Sequence, residues 1–271
     1  MIDAQIARPK DADAAVPDLG VRWAIGLPAL RVALVAAASI VTWLAFGGAT
    51  SDLAFPPPAV IASLAMLPVN LVSLAIVIRL VHRGGGTIRG ILGFSPRRIG
   101  TDLLWGLLWL AVMYMPFSAA LMLVVWLQYG PEMFSRMETL FVDPSSFPVL
   151  DATAWSIIGV IVVVTFAPLN APTEELVYRG VGQGVLGRHA STAAAIVVPA
   201  ALFALQHVWY AATPAAILPF VCAFFVWGLC SGLIYRRQKR LMPLVFAHVF
   251  VNLAFTVPAL FMPTLLATTG A

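Results

Sequence analysis

Charge is what this chain has least of. Asp and Glu together number twelve in 271 residues, and charged residues of both signs make up 10%, against roughly 25% in soluble domains. With 61% hydrophobic residues and a mean hydropathy of +0.94, that scarcity excludes a soluble domain and points to an integral membrane protein. Cysteine is nearly missing too. Cys222 and Cys230 lie eight residues apart in one apolar segment, too far along a helix for an unstrained disulfide, and read as small buried residues. No basic run is long enough for nucleic acid, and the basic clusters abut apolar segments, where membrane orientation accounts for them. The opening stretch MIDAQIARPKDADAAVPDLG lacks the compact apolar region of a signal peptide. Residues 1–22 read as a disordered tail before a single integral membrane domain, 23–271. Long soluble loops are lacking as well, which argues against a receptor.

What is present is a series of apolar runs. A bilayer core needs about 20 apolar residues in a helix, and seven stretches qualify: 24–46, 58–81, 103–127, 153–171, 191–210, 214–235 and 242–262. The expected fold is therefore all-α, a polytopic membrane helical bundle of about seven transmembrane helices. Arg83, Arg89, Arg97 and Arg98 fall between spans two and three, Arg179 and Arg188 follow span four, and RRQKR occupies 236–240. The 128–152 loop instead holds Glu132, Glu138, Asp143 and Asp151 against Arg136. The positive-inside rule then puts the N-terminus and the basic loops in the cytoplasm, and a bacterial plasma membrane is the expected location. Gly84–Gly86 reads as a flexible joint, Pro56–Pro58 as a helix start, and Pro68, Pro116 and Pro199 as kinks.

Ionisable groups in hydrocarbon cost about 2.5–3.5 kcal/mol each, so those inside the runs need partners. NAPTEELVYRG, residues 170–180, holds Glu174 and Glu175 with Arg179 one turn on. Glu175 and Arg179, four apart, can pair on one face. Glu174 then points about 100° away, free to take a proton. A snorkelling charge cluster at a helix end is the plainer reading. His207, in FALQHVW, has Phe203 one turn earlier as a candidate wall; an interfacial histidine is the plainer alternative. His248 and Asn252, also four apart, can share a helix–helix hydrogen bond or aim two donors at one oxyanion. His82 and His189 read as solvated, Arg31 and Arg79 as reaching headgroups from span ends, and Asp102 as a helix cap.

Together, Glu174-Glu175-x-x-x-Arg179, Phe203-x-x-x-His207 and His248-x-x-x-Asn252 resemble the CPBP family of intramembrane proteases. That family includes type II CAAX prenyl endopeptidases and proteins linked to bacteriocin processing and self-immunity. The resemblance covers about 150–260, the expected catalytic core, and implies a glutamate-centred peptidase open toward the cytosol. In that scheme Glu174 activates water, His207 holds and polarises it, and His248 and Asn252 bind the oxygen of the tetrahedral intermediate. Glu175 and Arg179 orient the first glutamate or help to hold the substrate. The implied partners are a peptide or membrane-protein substrate and the bilayer itself. Zinc is possible, with Glu174, His207 and His248 as ligands, but no HExxH pair occurs, and a metal-free carboxylate is preferred. Two other classes remain: a non-catalytic immunity or scaffold protein, and a proton- or metal-coupled transporter, which should show inverted repeats that are not seen here.

One geometric difficulty follows from simple spans. They put His207 roughly 20 Å in depth from Glu174. The two meet if span four is long, tilted and bent between Pro168 and Pro172, with span five starting late.

Overall fold

The structure, a computed structural model, describes residues 16–17, 19–47, 54–143, 146–261 and 264, without the Glu138 side chain. Most of the expected tail (1–15 and 18), the last residue of the seventh expected span (262) and the terminal residues 263 and 265–271 lie outside the described residues. Val16 is buried beside Gly184, and its carbonyl accepts from Arg188.

The apolar runs form helices because a backbone in hydrocarbon must satisfy its own polar groups. The helices are α1 (Val21–Ala45), α2 (Ala59–Leu64), α3 (Met66–Arg83), α4 (Ile88–Leu92), α5 (Ile99–Tyr129) and α6 (Met133–Phe141). There follow α7 (Ala152–Glu174), a π-helical stretch Glu175–Gln183, α8 (Gly184–His189), α9 (Thr192–Gln206), α10 (Ile217–Gln238) and α11 (Met242–Thr256). Among the described residues, seven helical units are long and apolar enough to cross a bilayer, and no strand occurs. The chain is an all-α integral membrane protein, as composition requires.

Local chemistry sets several boundaries. Asp151 Oδ1 accepts from Ala154 N–H at 2.8 Å and caps α7; Ser191 does the same for α9. Pro68 lacks the N–H that would bond Leu64, and its ring crowds that carbonyl, so the second crossing breaks between α2 and α3. Pro58 immediately precedes α2. Gly84–Gly86 form the C-terminal cap of α3 rather than a loose joint: Gly86 N–H reaches Val81 O at 2.9 Å, and Gly85 takes a φ of 78°, which glycine adopts without strain.

Neighbouring helices close a circuit, α1–α9–α10–α5–α11–α7–α3 and back to α1. The π-helical stretch packs inside it, touching α1, α3, α9 and α10, and every residue from Glu175 to Gln183 is buried. The fourth crossing is thus a continuous helix from Ala152 to His189, much longer than the span 153–171. This removes the depth difficulty without a late start for α9. Glu174 lies fifteen residues before His189, and His207 lies fifteen after Thr192. Descent and return each cover about 20 Å, so the two residues share a level.

Candidate active site

Three buried stripes meet at Glu174. The buried side of α1 runs Ala24, Leu27, Pro28, Arg31, Val35, Ser39 and Thr42, which places Arg31 in the middle of an inward face. The stripe of α3 carries Asn70 and Ser73, and that of α7 carries Asn170 and Glu174. Arg31 has no exposed surface. Its Nη2 donates to Asn70 Oδ1 at 2.8 Å, Asn170 Oδ1 at 2.8 Å and Glu174 Oε1 at 3.0 Å, while Nη1 donates to Ser73 Oγ at 3.2 Å. The expectation that Arg31 snorkels to headgroups is corrected: its stripe turns it toward the bundle axis, where four acceptors hold it.

That pairing also revises the role expected of the glutamates. Glu174 is not left without a counter-charge while Arg179 neutralises Glu175. Each carboxylate has its own guanidinium, Arg31 for Glu174 at 3.0 Å and Arg179 Nε for Glu175 Oε2 at 3.6 Å. Nor do the two point to unrelated places. His248 lies between them, with Nδ1 3.0 Å from Glu175 Oε1 and Nε2 3.4 Å from Glu174 Oε2. A neutral imidazole has one N–H and one lone pair. Both contacts are therefore hydrogen bonds only when the Glu174–His248–Glu175 group holds an additional proton.

The oxygens of Glu174 differ. Oε1 accepts from Arg31 and from Gln206 Nε2 at 3.0 Å, and Gln206 is fixed in turn by Tyr178 Oη donating to its Oε1 at 2.9 Å. Oε2 is buried and accepts no hydrogen bond among the described residues. Asn252, buried one turn beyond His248, likewise has an Nδ2 without an acceptor among them.

His207 ends α9 and stacks on Phe224 with ring centres 3.5 Å apart. Its Nδ1 is 2.8 Å from Phe203 O. A carbonyl can only accept, so Nδ1 carries the hydrogen and Nε2 keeps its lone pair in the neutral ring. Phe203 forms the wall expected of it. Fully buried, it lies 4.8 Å from the His207 ring, 6.2 Å from the His248 ring and 4.5 Å beneath the Arg179 guanidinium. Arg179 also donates to Ser231; it is buried, not a loop charge that sets orientation.

Glu174, Glu175 and His248 are therefore in direct contact, Asn252 follows on the same face, and His207 joins through Phe203. The sequence reading missed Arg31, Asn70, Asn170, Gln206 and Tyr178. Asn70 and Ser73 three apart, and Asn170 and Glu174 four apart, were available signals of polar stripes in apolar helices. Asp102 is corrected as well. It lies inside α5 rather than before it, is 1% exposed, and pairs with Arg240 at 2.7 Å. His82 and His189 are exposed, and Cys222 and Cys230 are half-buried free thiols.

As a zinc set, Glu174, His207 and His248 do not fit. Among the described residues no three His, Cys, Asp or Glu side chains are gathered as metal ligands. Glu174 Oε1 already bonds a guanidinium, and both His248 nitrogens face carboxylates.

Fold and site define a class: a polytopic membrane bundle with a charge-compensated Glu–His–Asn centre inside it. Residues 153–254 match the family described as Rce1-like, type II CAAX prenyl endopeptidase Rce1-like, to which this part of the chain is similar. No curated protein and no solved structure matches the chain. The matched segment covers all but the end residues of the stretch from α7 to α11, and every residue of the three motifs; α1 to α6, with Arg31, lie outside it.

Proposed function

We propose that the chain is an intramembrane endopeptidase that hydrolyses a peptide bond by glutamate-activated water, without metal. The observation that carries this reading is the asymmetric carboxylate of Glu174. One oxygen is anchored by Arg31 and Gln206, and the other, without a hydrogen bond, faces His248. Water held by the Nε2 lone pair of His207 gives its proton to Glu174 Oε2 as its oxygen attacks the scissile carbonyl. Nδ2 of Asn252 donates to the oxyanion that forms, and Nε2–H of His248 joins it when the Glu174–His248–Glu175 group holds its additional proton. The proton then passes to the leaving nitrogen, the C–N bond breaks, and a carboxylate and an amine depart. Glu175, tied to His248 and Arg179, fixes the imidazole.

The substrate on this reading is a peptide or a membrane-protein segment, presented from the side of the Arg188 and Arg236–Arg240 clusters. Those clusters support a cytoplasmic N-terminus, and a bacterial plasma membrane is the location we propose. The test is cleavage of a membrane-peptide library by purified protein in liposomes, comparing wild type with Glu174→Ala, His207→Ala and His248→Ala, each with and without EDTA. The proposal expects cleavage by wild type alone, insensitive to EDTA. Cleavage by all three variants refutes the centre, and activity restored only by added zinc refutes the metal-free route.

A further inference from the structure

The first helix lies outside the matched segment, yet it supplies the only guanidinium within bonding distance of Glu174 among the described residues. We infer that Arg31 is a positioning residue of the centre: it pins Oε1 of Glu174, so that Oε2 is the oxygen offered to water. This inference rests on the reading of Glu174 as the base.

The geometry distinguishes positioning from general cohesion in two ways. Arg31 and His248 engage different oxygens of Glu174: Arg31 takes Oε1, while His248 faces Oε2. It is also held rigidly before it reaches the glutamate. Asn70 and Ser73 from α3 and Asn170 from α7 each accept from it, so the guanidinium cannot follow the carboxylate if that group turns. A planar fork with several donors can make these bonds together; a lysine ammonium presents a single point charge. Without Arg31, Gln206 alone holds Oε1, and a buried carboxyl that has lost its counter-charge favours the neutral form, which cannot accept a proton from water.

The experiment uses the full chain in liposomes as wild type, Arg31→Gln, Arg31→Lys, Glu174→Gln and Arg31→Gln/Glu174→Gln. Two readouts are taken. Dicyclohexylcarbodiimide adds to protonated carboxyl groups in apolar surroundings, and tandem mass spectrometry separates Glu174 from Glu175. The second readout is kcat and KM for a cleaved peptide. Labelling of Glu174 is expected to rise about tenfold in Arg31→Gln, the equilibrium factor that corresponds to about 1.4 kcal/mol of lost charge compensation, to be intermediate in Arg31→Lys, and to vanish in the double variant. We expect kcat to fall about 100-fold, the scale of one general-base contribution, with KM unchanged and partial recovery in Arg31→Lys. If Arg31→Gln does not fold, Arg31→Lys carries both readouts. Labelling and kcat at wild-type values in the folded variants overturn the inference. Increased labelling in a protein that cleaves nothing overturns the proposed function but not the positioning. Wild-type cleavage abolished by Glu174→Gln, with Arg31 variants unaffected, overturns the positioning alone.

Discussion

At Glu174, on the proposed reading, membrane burial and reactivity are reconciled in a single side chain. A carboxylate in hydrocarbon needs compensation, and full compensation would leave it nothing to react with. Here compensation is confined to one oxygen, with Arg31 and Gln206 on Oε1 and none on Oε2. Asn252 shows the same economy on the donor side. Its Nδ2 is buried without an acceptor among the described residues, a cost of about 1–3 kcal/mol that an oxyanion can offset. Asn252→Ala should therefore lower kcat by about 10²–10³-fold without loss of melting temperature, as steady-state kinetics and thermal melts in detergent will measure. A melt lowered by several degrees with kcat unchanged would make Asn252 structural. Asn252→Asp replaces the donor by an acceptor and should be no more active than alanine.

At the scale of elements, the π-helical stretch is decisive. An α-helix separates Glu174 and Glu175 by about 100°, and on that basis they looked like groups with separate tasks. The helix changes to the wider π form at Glu175, with Gly184 N–H bonding Arg179 O five residues back, and both glutamates reach one imidazole. Such widening occurs frequently at functional sites, but no residue type announces it. What was legible followed from local physics: apolar length gave seven crossings, and four-residue spacing gave the His248–Asn252 face and the Glu175–Arg179 pair. Arg31 was illegible as a partner because it lies 143 residues from Glu174, and only the packing of α1 against its neighbours joins them. Close helix approach makes another prediction. A Cβ on Gly228 would lie 2.9 Å from Ala200 Cα, where α10 packs on α9, whereas one on Gly26 meets nothing within 4 Å. Gly228→Val should cost at least about 1–3 kcal/mol in chemical or thermal denaturation, while Gly26→Ala should be neutral or stabilising, since Gly disfavours a helix by about 1 kcal/mol relative to Ala.

Over the whole molecule, ion pairs with a buried carboxylate join segments remote in sequence. Arg31–Glu174 ties the first crossing to the fourth, and Asp102–Arg240 ties the start of α5 to the turn before α11. The second pair draws one residue of RRQKR inward, where it also donates to Gly93 O at 3.1 Å. Arg240→Gln should destabilise the bundle by about 3 kcal/mol, because it leaves Asp102 buried and uncompensated. Arg240→Gln/Asp102→Asn should recover part of that loss, a coupling that a double-mutant cycle of melting curves will read. The large side chains left exposed on α5, among them Leu104, Met115 and Leu127, face outward as lipid contacts. Function, on this account, belongs to the enclosed circuit of helices and not to any surface.

The most direct measurement is hydrolysis in H₂¹⁸O by wild type and Glu174→Gln, both reconstituted and matched for folded protein. Incorporation of one heavy oxygen into the new C-terminal carboxylate by wild type, with no product from Glu174→Gln, is the predicted result. Equal product from Glu174→Gln, or product without the label, would contradict it.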